Sequence, residues 1–158
     1  MIAVAKDLPP NFRTMRQSDI PEVTAIESRT YDFPWSSGIF RDCLLAGYTS
    51  VVLERDDGII GYGIMSVAAG EAHLLNICIK QDFRRQGVGT MLLQYLLERA
   101  RRFAADRIFL EVRPSNEPAL SLYERMGFRI LGVREGYYKA RQGSEDAVVL
   151  VYHFGNRT

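Results

Sequence analysis

The sequence predicts an α+β domain with a mixed β-sheet, and two observations carry that prediction. First, the β-rich runs Thr49–Glu54 and Ile59–Val67 flank Arg55-Asp56-Asp57-Gly58, whose Asp-Gly pair is typical of a hairpin turn between antiparallel strands. Second, the chain from residue 72 onwards alternates strand, helix, strand, helix and strand. A run of strands followed by this alternation indicates a sheet that mixes antiparallel and parallel neighbours.

Length and composition indicate one globular domain. The chain has 158 residues, of which 47% are hydrophobic and 25% are charged. These values are typical of an ordinary globular protein and unlike those of disordered or membrane chains. We expect a flexible leader at 1–10, a single domain at 11–154 and a short tail at 155–158.

Charge and cysteine content argue against several classes of partner. The formal net charge is +1, so no basic field favours nucleic acid, and no apolar stretch is long enough to span a bilayer. Cys43 and Cys78 lack paired spacing, and only His73 and His153 could add imidazole ligands, so we expect no metal site. With no export signal visible, two reduced thiols indicate a cytoplasmic protein. We expect a monomer or weak dimer.

The first third of the chain predicts a strand and two helices. Ser18 and Asp19 followed by Glu22 are typical of a helix start with a capping residue. A second start follows a proline-broken aromatic segment, where Ser36 or Ser37 is expected to cap. The pattern places the strand at 11–15 and the helices at 18 to about 28 and 36 to about 46.

The rest of the chain supplies a buried strand, the longest helix and three further strands. Residues Ala72–Ile79 are mostly apolar, as in a buried strand. From Val88 to Phe103 apolar residues recur at helical spacing, and arginines occupy the last turns, where cations suit the helix dipole. We expect strands at 107–112, 129–133 and 147–154, a helix at 117–126 that Gly127 stops, and a loop rich in Gly and Tyr before the last strand.

The segment Arg84–Thr90 leads from the buried strand directly into the long helix. Gly87 and Gly89 lack a Cβ atom, so their backbone can approach a ligand closely, and the first N–H groups of the helix point at an anion. The helix start carries roughly half a positive charge, to which Arg84 and Arg85 add theirs. This geometry suits a pyrophosphate.

The glycine loop matches neither of two common nucleotide-binding loops. It lacks the Gly-Lys-Ser/Thr of the triphosphate loop, and the third glycine of the dinucleotide fingerprint is Leu92 here. The alternative is a helix that merely begins at a glycine turn beside solvated arginines. The loop alone leaves both interpretations open.

Three motifs together resemble the GCN5-related N-acetyltransferase superfamily: Arg84-x-x-Gly87-x-Gly89, Leu110-Glu111-Val112-Arg113-x-Ser115-Asn116 and Leu122-Tyr123-x-x-x-Gly127-Phe128. Within it, the sequence is similar to the RimI type of ribosomal-protein-alanine N-acetyltransferase at Phe33-Pro34-Trp35-Ser36, Glu111, Asn116, Tyr123, Tyr137-Tyr138 and Glu145-Asp146-Ala147. The similarity extends over residues 11–152. It implies an αβα sandwich (GNAT fold) around a mixed, mostly antiparallel sheet, with acetyl-CoA as co-substrate and no metal.

Glu111 is a carboxyl within an apolar strand. If 107–112 is a strand, Ile108 and Leu110 face one side while Phe109 and Glu111 face the other. A partly desolvated Glu with a raised pKa can accept a proton from an amine, directly or through water. The alternative is a structural ion pair with Arg113 or another cation. The resemblance implies the catalytic base.

Tyr123 lies on the apolar face of its predicted helix, where a core tyrosine would look the same. The resemblance implies that its phenol is the general acid that protonates the departing coenzyme A thiolate. Asn116 is expected to bind the cofactor; its alternative role is a helix N-cap, and both can hold at once.

The strand residues Ile77, Cys78 and Ile79 are implicated by the resemblance. It implies that this strand parts from its neighbour, that its backbone pairs with pantetheine, and that an N–H polarises the thioester carbonyl. A covalent acetyl-Cys78 is the alternative, but no base is adjacent in sequence, so we favour direct transfer. The expected cofactor-binding residues are Ile77, Cys78, Ile79, Arg84, Arg85, Gln86, Gly87, Val88, Gly89, Thr90 and Asn116.

The acceptor groove is implied by the same likeness. Its expected lining is Phe33, Trp35, Tyr137 and Tyr138, with Glu27, Glu145 or Asp146 attracting a basic peptide. The alternative is that these aromatics anchor loops on the core. An α-amine has a reference pKa of about 7.7 to 8.0, against about 10.4 for Lys, so a protein N-terminus is the easier acceptor near neutrality.

The resemblance therefore implies an enzyme that acetylates a protein N-terminus. The acceptor it implies is the N-terminal alanine of a small-subunit ribosomal protein (bS18). Another amine, such as a lysine side chain, a polyamine or an aminoglycoside, is the first alternative. A non-catalytic acyl-CoA-binding regulator is the second, against which the presence of both Glu111 and Tyr123 speaks.

Overall fold

The computed structural model describes residues 10–56 and 58–155. The predicted leader and tail therefore lie outside the described residues, except for Pro10 and Gly155. The described chain forms two compact units. The first unit contains the residues up to Met65 together with Asn76–Gln94, and the second contains Ser66–Leu75 and the residues from Tyr95 onwards.

The described residues form one sheet of seven strands in the order β1-β2-β3-β4-β5-β7-β6. The strands are β1 Asn11–Thr14, β2 Thr49–Arg55, β3 Gly58–Ala68, β4 Glu71–Ile79, β5 Arg107–Val112, β6 Arg129–Lys139 and β7 Ser144–His153. The helices are α1 Ile20–Thr30, α2 Ser37–Leu45, α3 Val88–Arg102 and α4 Glu117–Arg125. β4 and β5 are parallel, whereas β1–β2, β2–β3, β5–β7 and β6–β7 are antiparallel. This mixed sheet with helices confirms the predicted fold class.

The predicted hairpin forms between β2 and β3. Their register runs from Thr49 opposite Met65 to Arg55 opposite Gly58, which confirms the predicted antiparallel pairing of the two strands, while Asp57 of the predicted turn lies outside the described residues. Both strands are buried over most of their length, which indicates that they belong to the core of the first unit. One cluster of that core contains Leu53, Ile60 and Val88, with Phe12, Ile79 and Phe83 packed against it.

The start of α1 differs from the prediction. The helix begins at Ile20 after a 3-10 turn, and its N-cap, Asp19, makes no side-chain cap. The Asp19 carboxylate instead accepts two hydrogen bonds from Arg13, at 2.7 and 2.8 Å, which lower its pKa. Glu22 does not take the predicted part in capping this helix, because its carboxylate accepts a hydrogen bond from the backbone N–H of Ile59 at 2.9 Å. The start of α2 matches the prediction, because Ser36 accepts from the N–H of Ile39.

The core of the second unit lies against β5 and β7. Ile108, Leu110 and Val112 are buried on one face of β5, as their alternation predicts. On the helical side Tyr123 packs against Phe128, with 5.6 Å between ring centroids, and Phe128 packs against Tyr152 at 5.4 Å. These contacts fix α4 and the chain that follows it.

The predicted loop rich in Gly and Tyr is wrong in its first part. β6 continues through Lys139 instead of ending at Val133, so Tyr137 and Tyr138 are strand residues. The ladder with β7 is irregular between Arg134 and Tyr138. Gly136, with φ of +61°, takes up this irregularity, and its N–H donates to Asp146 Oδ1 at 2.9 Å.

No helix of the described segments combines the length and hydropathy needed to cross a membrane.

Candidate functional site

The glycine loop of the first unit has the backbone of an anion site. Gly87 adopts φ of +78°, and a Cβ placed there would meet no atom within 4 Å. Its carbonyl accepts from the N–H of Met91 at 3.1 Å, which starts α3. The N–H groups of residues 88–90 consequently have no acceptor within the helix. Open space therefore lies beside a row of backbone donors at the positive end of a 15-residue helix.

The arginines of this loop are exposed, and one is strained. Arg85 has φ of +62°, a left-handed conformation that costs an L-residue about 1–2 kcal/mol. Such strain concentrates at ligand-binding loops. Arg84 donates from Nε to the carbonyl of Ile79 at 3.2 Å, which ties the loop to the end of β4. The loop residues thus fit a diphosphate, to which Val88, whose side chain is buried, can contribute only its N–H.

The last residues of β4 are held by α1 and the segment after it. The Tyr31 hydroxyl donates to the carbonyl of Ile77 at 2.8 Å. Cys78 is 3% exposed, and its Sγ lies 3.6 Å from Thr30 Oγ1. Burial raises the pKa of the Cys78 thiol, which disfavours the thiolate that a covalent mechanism needs. The structure thus favours the interpretation of Cys78 as a small buried side chain.

Glu27 is a buried acidic residue at the centre of the first unit. This position was not predicted from the sequence. Glu27 is 2% exposed and accepts hydrogen bonds from the Tyr62 hydroxyl at 2.7 Å, Asn76 Nδ2 at 3.0 Å and the Trp35 N–H at 3.0 Å. It therefore joins α1, β3, β4 and the segment before α2, and is not free to attract a basic peptide. A signal existed in the sequence, since Glu27 follows Ile26 on the buried face of α1.

The aromatic segment before α2 has one exposed and one anchored ring. Phe33 is 42% exposed. Trp35 is half-buried, and its ring packs against Phe40 with 5.3 Å between centroids. The segment thus presents Phe33 to the surface from a base that Trp35 and Glu27 fix.

Glu111 lies in a charged cluster of the second unit. Its Oε2 is 2.5 Å from His73 Nε2 and its Oε1 is 3.1 Å from an Arg134 guanidinium nitrogen, while its side chain is only 10% exposed. The hydrogen bond with His73, together with the charges of His73 and Arg134, lowers the pKa of Glu111 even though burial opposes this. The expected raised pKa is therefore wrong, because the contacts with His73 and Arg134 outweigh desolvation.

Arg113, the first partner considered for Glu111, pairs elsewhere. Its guanidinium lies 4.4 Å from the centroid of the Tyr138 ring and donates to the Lys139 carbonyl at 2.7 Å and to Glu145 at 3.2 Å. Glu145 also accepts from the Ser115 N–H at 2.9 Å. Glu145 therefore fixes the segment between β5 and α4, and its carboxylate is already engaged.

Tyr123 is 5% exposed on the inner face of α4. Burial raises the pKa of its phenol, so the hydroxyl stays protonated well above neutral pH. That state is the one a proton donor needs. Asn116 caps α4, since its Oδ1 accepts from the Ala119 N–H at 3.3 Å, which confirms the capping role considered for it.

Tyr137 and Tyr138 form an edge-to-face pair with 5.0 Å between centroids. Tyr137 is 50% exposed, and the Arg134 guanidinium lies 4.9 Å from its ring centroid. Burial and the nearby charge of Glu111 raise the pKa of Tyr138 to about 12. The two tyrosines thus belong to the same cluster as Glu111.

Each unit gathers its own share of the predicted site. The first unit contains the glycine loop, Ile77–Ile79, Phe33 and Trp35, and the second contains Glu111, Tyr123, Asn116, Tyr137 and Tyr138. His73 and Arg134 complete the Glu111 cluster, and the sequence interpretation gave neither a role. Among residues 10–56 and 58–155, no group of three or more His, Cys, Asp and Glu side chains could hold a metal ion.

Comparison with known proteins identifies relatives over nearly the whole chain. A family model described as acetyltransferase (GNAT) family matches residues 15–128. The chain is 38% identical over 133 residues to the ribosomal protein bS18-alanine N-acetyltransferase of Salmonella typhimurium, covering 84% of this chain and 90% of that protein. It is 34% identical over 137 residues to the Escherichia coli K12 protein of the same name, covering 87% and 93%.

A solved structure agrees with these sequence matches. The crystal structure of the ribosomal-protein-S18-alanine N-acetyltransferase from Escherichia coli superposes with a TM-score of 0.88 at 31% identity. The match covers 94% of this chain and 96% of that one.

Proposed function

The chain belongs to the acetyltransferase (GNAT) family, and from this membership we propose that it acetylates the N-terminal alanine of ribosomal protein bS18 in the cytoplasm. The predicted class, an acetyl-CoA-dependent N-acetyltransferase, is confirmed by the family and by the names of the relatives. The observation that carries the choice of acceptor is that relatives named for bS18-alanine acetylation match almost end to end.

The glycine loop is the part of the chain that would hold the cofactor. The N–H groups of residues 88–90 bind the diphosphate, Arg84 and Arg85 supply charge beside it, and Ile77–Ile79 bind the pantetheine through their backbone. Arg85 in a left-handed conformation supports this role, because its strain needs compensation from a ligand or its surroundings. When bound, acetyl-CoA supplies the acetyl group as a thioester whose sulfur departs as a thiolate.

Glu111 and Tyr123 perform the two proton transfers. Glu111 takes the proton that the acceptor ammonium must lose before its nitrogen lone pair can attack, directly or through water. Tyr123 donates its hydroxyl proton to the departing sulfur. The pKa directions support this assignment, because Glu111 is deprotonated and Tyr123 protonated near neutral pH.

The acceptor peptide is held by exposed aromatic rings. Phe33 and Tyr137 are each about half-exposed and available to pack against its first side chains. Tyr138 packs against Tyr137, and Trp35 packs against Phe40 at the base of the segment that carries Phe33. A protein α-amine suits a base of lowered pKa better than lysine does, because its own pKa of about 7.7 to 8.0 requires less help near neutrality.

The test compares four acceptors with the purified enzyme and acetyl-CoA: a bS18 N-terminal peptide that begins with Ala, the same peptide with a blocked N-terminus, a lysine peptide and a polyamine. We expect acetylation of the first alone. Equal labelling of the blocked peptide would contradict α-amine specificity, and labelling of only the polyamine would replace the acceptor.

The mechanism is tested with conservative variants. Glu111→Gln and Tyr123→Phe should each lower kcat by about 100- to 10,000-fold while the Kd for coenzyme A stays within about threefold. Glu124→Gln and Tyr48→Phe, at exposed positions, are the matched controls and should retain wild-type turnover. Full activity of either active-site variant would exclude the role assigned to it.

A further inference from the structure

His73 and Glu111 extend from the same face of neighbouring parallel strands. The register of β4 and β5 places His73 opposite Phe109, and Glu111 lies two residues further along β5. Because side chains two apart on a strand point to the same side, the imidazole and the carboxyl meet above the sheet. The pairing is therefore built into the register, and does not depend on a flexible loop.

Glu111 is poorly placed to act on an amine alone. Each of its two oxygens already faces a donor, one on His73 and one on Arg134, and its side chain is 10% exposed. These same contacts lower its pKa, which weakens it as a base. An amine that approaches Glu111 would have to displace one of two charge-assisted hydrogen bonds.

His73 has the accessibility that Glu111 lacks. Its side chain is 40% exposed, four times the exposed fraction of Glu111. When Nε2 carries the hydrogen and donates it to Glu111, the neutral ring has its lone pair on Nδ1. Within the part of the chain that the structure describes, no hydrogen bond occupies Nδ1. The carboxylate thus fixes the tautomer of an imidazole whose second nitrogen remains available.

We propose that His73 is a catalytic residue: its Nδ1 takes the proton from the attacking amine, and Glu111 orients the ring and stabilises the imidazolium. This inference rests on the proposed amine acetylation and refines it, because the amine proton goes to His73 where the mechanism above gave it to Glu111, directly or through water. The N–H bond of the amine breaks and its proton bonds to Nδ1, while the Nε2 hydrogen stays in its hydrogen bond to Glu111. The imidazolium later releases one proton to solvent through its exposed side.

The charges around the pair are compatible with this step. Arg134 from β6 carries a positive charge next to Glu111, whereas Glu111 from β5 lies 2.5 Å from His73 Nε2 and stabilises a positive charge on the ring. Tyr138 from β6 is neutral near pH 7, because burial and Glu111 raise its pKa. Glu145 from β7 is engaged with Arg113 and Ser115. Glu111 is therefore the anion of the His73–Glu111 pair, and its carboxylate lies directly against the imidazole ring.

His73→Gln separates catalysis from positioning. Glutamine can still donate a hydrogen bond to Glu111, but its amide cannot take a proton. We expect kcat to fall about 100-fold or more, with the KM for the peptide and the Kd for coenzyme A within about threefold of wild type. The dependence of kcat on pH should differ between the wild type and His73→Gln, because the variant has no imidazole to accept the proton. His153→Gln, at the exposed end of β7, is the matched control and should remain fully active.

Two further measurements address the same proposal. Added imidazole should restore part of the activity of His73→Ala and leave Glu111→Gln unchanged, because a small base can replace only the missing ring. Nitrogen NMR of the wild-type enzyme, which needs no variant, should show His73 with hydrogen on Nε2 and none on Nδ1 at neutral pH. The opposite tautomer would overturn the proposal.

The outcomes also separate this proposal from the function on which it rests. If His73→Gln keeps kcat within about threefold while Glu111→Gln is inactive, the acetyltransferase mechanism stands and His73 merely positions Glu111. If the wild-type enzyme acetylates no amine, the proposed function fails first. Loss of activity in His73→Gln, together with rescue of His73→Ala by imidazole, supports both the proposed function and the catalytic role of His73.

Discussion

Replacement of Glu27 by Gln should destabilise the first unit measurably, although the two side chains have nearly the same shape. The Glu27 carboxylate accepts from three donors: the Tyr62 hydroxyl and Asn76 Nδ2 on Oε1, and the Trp35 N–H on Oε2. A glutamine amide has one acceptor oxygen and one donor group. Three donors therefore cannot all be satisfied by the variant.

The size of the effect follows from which donor loses its acceptor. If the Gln oxygen takes the place of Oε1, its NH2 group faces the Trp35 N–H. In the opposite orientation the hydroxyl of Tyr62, which is fully buried, loses its carboxylate acceptor. Either way, one buried donor is left without its strong partner, which lowers the free energy of unfolding by about 1–3 kcal/mol. For a chain of this size, each kcal/mol corresponds to about 2–4 °C in Tm.

The assay is urea unfolding followed by circular dichroism, combined with steady-state kinetics. The KM for the acceptor peptide should rise as well, because the Trp35 N–H no longer anchors the segment that presents Phe33. Tyr62→Phe, which removes one donor, should cost less in the Glu27→Gln background than in the wild type, with a coupling of about 0.5–3 kcal/mol.

Glu124→Gln, at an exposed position of α4, is the matched control and should change the free energy of unfolding by less than about 0.5 kcal/mol. An unchanged free energy of unfolding in Glu27→Gln, or zero coupling to Tyr62→Phe, would refute the reasoning.

Three further predictions concern the candidate site. The pKa of Glu111 lies below its ordinary value of 4.5, so the stability it contributes is complete above that pH and is lost as the pH falls through the lower folded value. Between about pH 6 and 3, the free energy of unfolding measured in urea should therefore fall more in the wild type than in Glu111→Gln. Equal losses in the two proteins would contradict the pairing of Glu111 with His73 and Arg134. Gly87→Ala should cost about 1 kcal/mol of stability and weaken coenzyme A binding measured by calorimetry, because φ there is +78°, whereas Gly132→Ala, which has open space and no positive φ, should do neither. Cys78→Ala should keep kcat within about threefold, and mass spectrometry should detect no acetyl group on the wild-type enzyme incubated with acetyl-CoA alone; an acetylated Cys78 would contradict direct transfer.

The elements that the sequence predicted well are those with one buried face. β5 was predicted with both its bounds, because its buried residues alternate with more exposed ones. β6 was predicted six residues too short at its end, because nearly every residue of that edge strand is exposed. A strand with no buried face leaves no period of two in its hydrophobicity, and Gly136 within it favoured a loop.

The motifs of the candidate site can be recognised in the sequence, whereas its side-chain pairs cannot. The glycine loop, Glu111, Asn116 and Tyr123 are recognisable because their spacing is local. Glu27 meets Tyr62 and Asn76 across 35 and 49 residues, and His73 meets Glu111 across 38. Such contacts depend on strand register, which the hydrophobic pattern does not determine to the residue. Hence the sequence indicated a raised pKa for Glu111, whereas its contacts with His73 and Arg134 lower it.

In the proposed mechanism, the lowered pKa of Glu111 and the raised pKa of Tyr123 set the limits of the two proton transfers. They leave a deprotonated carboxylate and a protonated phenol across the neutral range, so both groups are in the required state before substrate binds. The same shifts make each group weaker in its role, because a carboxylate of low pKa accepts a proton reluctantly and a phenol of high pKa donates one reluctantly. The free α-amine, whose ammonium form has a pKa of about 7.7 to 8.0, is several pKa units more basic than such a carboxylate. A relay between the amine and Glu111 would ease this transfer, and the imidazole of His73 lies in contact with Glu111.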